Sequence, residues 1–74
     1  MTTLNQLKAR FDAAWKRATD EHGRLVLLHG YADAVPPEEW AEYNRLLAAA
    51  ERIADEGGPV GSPEREAVVY GARR

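Results

Sequence analysis

Leu4, Leu7, Phe11, Ala14, Trp15 and Ala18 recur at spacings of three and four, the period that places apolar side chains on one stripe of an α-helix. Thr3 stands just before the stripe with Gln6 three residues on. That pair forms a capping box, each side chain satisfying an otherwise orphan backbone N–H. The acid-before-base pairs Asp12–Lys16 and Asp20–Arg24 each add about 0.2–0.5 kcal/mol on a helix surface. Where this helix ends is decided by "EHGRLVLLHGY", residues 21–31. Continuing the spacing past Ala18 reaches Glu21 or His22, then Leu25, then Leu28, so the stripe crosses Gly23 in phase. An interior glycine costs about 0.8–1.0 kcal/mol relative to alanine, less than the roughly 1.5–3 kcal/mol gained by burying one leucine. A strand here would need a pairing partner, and no second β-branched segment of useful length exists outside the tail. The pattern predicts one helix over about residues 3–29, about 40 Å long, with Gly30 as its left-handed C-terminal residue.

"YADAVPP", residues 31–37, is a connector, because the residue before a proline avoids helical angles. Pro37 suits a first helical position, and Glu38 and Glu39 then face the positive end of the helix dipole. Trp40, Tyr43, Leu46, Leu47, Ala50, Ile53 and Ala54 mark one side of a second helix over about residues 37–56, stopped by Gly57-Gly58. A short connection between two long helices implies an antiparallel hairpin. The run Ala48–Ala50 admits close backbone approach opposite Phe11 or Trp15. The predicted organisation is all-α: a helical hairpin over residues 1–58, then a flexible or partner-ordered tail over 59–74. Glycines and prolines at 57–63 read as a linker. Ser62-Pro63-Glu64 fits the start of a short helix over 63–70, and "AVVY" fits equally well as a segment lying extended along a partner.

Residues 25–28 are apolar around most of the helix, because Val26 and Leu27 lie off the Leu25/Leu28 seam. A two-helix hairpin covers only one side, and a helix that is apolar all round must be buried elsewhere. The expectation is a homodimer in which two hairpins form a four-helix bundle, with Phe11, Leu25, Val26, Leu28 and Leu47 at the interface. The alternative is that the tail folds back and covers Val26 and Leu27 with Val68, Val69 and Tyr70.

Size sharpens the need for a partner. Seventy-four residues make one domain that buries only about 60% of its unfolded surface, and such chains usually add disulfides, a metal or a second subunit. There is no cysteine, which excludes disulfides and thiolate metal sites and fits a cytoplasmic protein. No apolar run approaches the roughly 20 residues that span a bilayer, and "MTTLNQLKARF" lacks the apolar core of a signal peptide. The net charge of −2 argues against a protein built to hold phosphates. Charge is uneven, however: residues 3–29 balance at +2 and residues 37–56 at −4, so the two segments attract.

The residues carry no catalytic, cofactor-binding or metal-binding pattern. His22 and His29 are seven apart, about 10 Å along a helix, too far for one ion without a second chain, and they read as ordinary histidines near a loop. No HExxH, glycine-rich phosphate loop or nucleophile elbow is present. Glu38, Glu39 and Glu42 could work as acids or bases only in a cleft that shifts their pKa values. They fit better as an acidic surface answering a basic partner. Phe11, Trp15, Trp40 and Tyr43 fall on or beside the stripes and are mostly core. Trp15, Tyr31, Trp40 and Tyr70 are also candidates to anchor a partner, since Trp and Tyr dominate many interfaces.

A chain without an active-site pattern is expected to act by binding protein. The hairpin segments "MTTLNQLKARFDAAWKRATDEHG" and "PPEEWAEYNRLLAAAERIADEGG" resemble, in size and style, small cysteine-free helical proteins that bacteriophages and other mobile elements use to inhibit host machinery. Anti-CRISPR proteins and anti-activators of quorum-sensing regulators are of this kind. The resemblance carries no diagnostic motif and no site residue. It implies a stoichiometric inhibitor that masks a surface of a larger host regulator or enzyme. The alternative is a dimeric nucleic-acid-binding regulator using Lys8, Arg10, Lys16, Arg17 and Arg24, with Arg73 and Arg74 of the tail.

Overall fold

The computed structural model describes residues 3–73, with side chains through Tyr70. Helix α1 spans Leu4–His29. At its start the Thr3 Oγ1 accepts the Gln6 N–H at 3.1 Å while the Thr3 N–H donates to Gln6 Oε1 at 2.8 Å, so the capping box is complete. Gly23 lies inside the helix, and a Cβ there would meet nothing within 4 Å. The helix stops at Gly30, whose φ of 94° is left-handed, a conformation that penalises L side chains by about 1–2 kcal/mol. Its N–H donates to Val26 O at 2.7 Å. The molecule measures 41 × 20 × 18 Å, so α1, about 39 Å long at 1.5 Å per residue, runs its whole length.

Two single 3₁₀ turns, Ala32–Ala34 and Pro37–Glu39, flank the buried Val35 and lead into α2, Trp40–Glu56. At one end of the molecule Arg10 and Glu56 pair at 3.0 Å. At the other, His29 and Glu39 approach to 3.0 Å. The two helices are therefore antiparallel.

Of the readings open to the tail, the short helix is the one adopted, and it runs further than residues 63–70. Residues Pro63–Arg73 form a third helix, α3, and its Val68 is fully buried. Ser62 caps it, Oγ accepting the Arg65 N–H at 3.2 Å and the carbonyl accepting the Glu66 N–H at 3.0 Å. Backbone bonds from Gly58 N–H to Asp55 O (3.1 Å) and Ser62 N–H to Pro59 O (3.0 Å) close the intervening turn. The Arg65 guanidinium reaches back to the Asp55 carboxylate and to Gly58 O. Gly57 makes the approach sterically feasible: a Cβ there would sit 3.3 Å from Val68 Cγ2 and 3.4 Å from Arg65 Cα.

The core gathers at this end. Leu7, Phe11 and Ala14 of α1 meet Ala50 and Ala54 of α2 and Val68 of α3, with Trp15, Ile53 and Val69 packed at the margin. The tail thus covers the N-terminal half of α1 rather than Val26 and Leu27, and Tyr70 stays exposed. Among the described residues there is no strand, and no helix is long and apolar enough to cross a membrane.

Candidate partner-binding surface

Glu21 and His22 are neighbours on α1, as Glu42 and Tyr43 are on α2. Successive residues of a helix point about 100° apart, so each pair sends one side chain to either flank of the α1–α2 contact. The two flanks consequently differ in chemistry.

One flank is ionic, a groove lined by Arg17, Asp20, Glu21, Arg24, Glu42 and Leu46. Arg24 donates through Nε and Nη2 to the two Glu21 oxygens at 2.6 and 2.9 Å. Arg45 grips Glu42 in the same forked manner. Hydrogen bonds from Arg24 and Arg45 hold the Glu21 and Glu42 carboxyls below the usual range, against the opposing effect of desolvation. The same bonds push both guanidinium pKa values up. Both ion pairs that the sequence predicts on α1 are replaced. Lys16 bonds Asp20 at 2.7 Å rather than Asp12, and Arg24 takes Glu21, where the planar guanidinium makes two bonds at once.

The other flank is aromatic. His22 lies 5.3 Å from Trp40 and 5.5 Å from Tyr43, centroid to centroid. Trp40 and Tyr43 meet edge-to-face at 5.5 Å and 69°, a favourable arrangement for aromatic quadrupoles. With Pro37 and Asn44 these rings line an open hollow of about 510 Å³. Further along, Trp15 stacks on Phe11 at 5.9 Å and borders a narrower cleft of about 240 Å³ against Val60 and Val69.

The residues expected at a dimer seam are split by the fold. Phe11 and Leu25 are buried within the chain, Val26 and Leu47 are half-buried, and Leu28 is 65% exposed. A straight helix drifts about 20° per heptad relative to a seven-residue repeat. Three heptads beyond Leu7, that drift has carried Leu28 off the stripe, and burial passes from Leu25 to the partly buried His29. Leu27, at 87%, and Tyr31 are exposed at the same end of the molecule.

Of the residues expected to touch a partner, Trp40 lies in the aromatic cluster, and Trp15 is half-buried beside Phe11. Tyr31, Glu38 and Tyr70 are exposed, on the connector, the second 3₁₀ turn and α3. Glu42 is held by Arg45. Glu39 lies 3.0 Å from His29 Nε2, a solvent-shielded atom, without an aligned hydrogen bond. On α1, Arg10, Lys16 and Arg24 are engaged by Glu56, Asp20 and Glu21, three of the five α1 members of the expected basic patch. The Arg73 side chain and Arg74 lie outside the described residues. Among the described residues no three His, Asp or Glu side chains converge as a metal site would require.

Two members of the cluster, His22 and Tyr43, are absent from the sequence-derived binding candidates. Neither carries a local signal in the sequence: what brings His22 to Trp40 and Tyr43 is the register of α2 against α1. Comparison with known protein families, curated proteins and solved structures finds no match to this chain.

Proposed function

We propose that this chain is a non-enzymatic binding module that masks a surface of a larger protein, as an inhibitor of a host regulator would. The observation that carries the reading is the cluster of His22, Trp40 and Tyr43, which lies outside the main core and stays accessible. Rings of this kind, rigid and amphipathic, supply most of the energy at many protein interfaces. A photo-reactive residue in place of Tyr43 tests it in cells of the native host. The expected result is one stoichiometric adduct, with none when the same group replaces the exposed Glu64 on α3. Equal labelling from both positions would refute it. So would an absence of adducts together with DNA retardation by the purified chain at low salt, which would favour the nucleic-acid-binding alternative.

We also propose that two copies pair through Leu27, Leu28 and Tyr31. The support is their exposure at one end of a chain whose own core lies mainly at the other. Sedimentation should give the mass of two chains, and Leu27→Glu with Leu28→Glu should give one. A concentration-independent single-chain mass for the unmodified protein would rule this pairing out.

A further inference from the structure

We infer that the His22–Trp40–Tyr43 cluster receives an arginine side chain of the partner. The inference rests on reading that cluster as the contact surface, and it names the chemistry that would occupy it.

Each ring of the cluster follows a glutamate in the sequence: Glu21-His22, Glu39-Trp40 and Glu42-Tyr43. Pro37, which also lines the hollow, is followed by Glu38. Aromatic faces carry the negative part of the ring quadrupole and attract cations. Carboxylates that remain without a cation beside these faces therefore add to a field of the same sign. Two of the four glutamates, Glu21 and Glu42, are matched by Arg24 and Arg45 along the opposite groove. Glu38 has no ion-pair partner among the described residues, and Glu39 meets only the His29 ring. Asp55 and Glu56 of α2 are held by Arg65 and Arg10 at the far end, so the acidic charge left at the end of α2 that supplies most of the hollow is that of Glu38 and Glu39. A basic group is the complement of this surface.

The geometry favours arginine over lysine. No carboxylate lines the hollow itself, whose walls are two aromatic rings, an imidazole, a proline and an asparagine. An ammonium is a compact, strongly hydrated point charge that needs an oxygen in contact. A guanidinium is flat and more weakly hydrated, stacks on a ring face and keeps its N–H groups free for acceptors around that face. The Asn44 side-chain carbonyl is a further acceptor at the wall.

The test is an NMR titration of the full chain with a five-residue peptide, Gly-Arg-Gly-Arg-Gly, and with its lysine and citrulline counterparts. The two tryptophans give separate indole N–H signals, so Trp15 serves as an internal control. The arginine peptide should shift the Trp40 indole and the Tyr43 and His22 rings saturably while leaving Trp15 in place. Citrulline keeps the shape without the charge and should bind ~5–30-fold more weakly, the range spanned by a partly desolvated cation–π contact. Trp40→Phe should retain binding and Trp40→Leu should lose it. Equal binding of citrulline or lysine, or an equal shift at Trp15, would overturn the inference. Should Trp40→Leu fail to fold, the peptide comparison on the unmodified chain still decides. If cross-linking from position 43 succeeds while the arginine peptide does not bind, the arginine assignment falls and the contact surface stands. If neither works, both fall.

Discussion

Replacing Val68 with alanine probes whether α3 belongs to the cooperative fold. Val68 is fully buried among Leu7, Phe11, Ala14, Ala50 and Ala54. The substitution removes two methyl groups, worth about 0.8 kcal/mol each in transfer free energy. Collapse into the gap is resisted by helices on two sides, so a cavity contribution of order 1 kcal/mol adds to this. The expected loss is about 2–3 kcal/mol, a large fraction of the stability of so small a domain. At about 4–8 °C per kcal/mol for this size, Tm should fall by about 8–24 °C. Thermal unfolding followed by circular dichroism measures this directly. Val60, in the turn before α3 and 86% exposed, provides the control, and its alanine variant should stay within about 0.5 kcal/mol of the parent. If Val68→Ala and Val60→Ala behave alike, α3 adds nothing to the core and the reasoning from burial is refuted.

Thr3→Ala removes the acceptor of the α1 capping box and should cost about 1 kcal/mol, read as a Tm lower by about 4–8 °C; no change would show that the N-terminal turn is frayed in solution. The Glu21 and Glu42 pKa values are lowered by folding, so their stabilisation is present above the unfolded carboxylate value and lost as pH falls through the lower folded value. Tm should accordingly decline as pH drops below about 4.3. Glu21→Gln with Glu42→Gln should flatten part of that decline, and an unchanged slope in the double variant would contradict the assignment.

Much of α1 was legible because its signals are local. The Thr3–Gln6 box, the uninterrupted phase across Gly23 and the glycine at position 30 are each read within a few residues, and each has a physical counterpart in the fold. Leu28 shows where such reading fails. A strict three-four count treats the helix as if it coiled around its partner, whereas accumulated drift turns Leu28 outward. The packing of α3 was hidden for a different reason. Its apolar run "AVVY" is too short for periodicity to separate a helix from an extended segment, and what docks it is the burial of Val68 against α1 and α2, for which Gly57 leaves room. The aromatic cluster needed the register of one helix against another, so Trp40 could be nominated on residue type alone while His22 could not. The ion pairs were misassigned because sequence spacing cannot tell which of two nearby carboxylates a given cation will take.

The uneven distribution of packing along α1 has a mechanical consequence. Around Phe11 the helix is braced by both α2 and α3, whereas around Leu25 it has α2 and a connector of two single turns. Opening fluctuations should therefore begin at the connector end and die out toward the packed core around Phe11. The aromatic cluster sits toward the compliant end. Its rings can adjust to an incoming surface at little energetic cost to the rest of the molecule, while the stiff end keeps the chain folded during that adjustment.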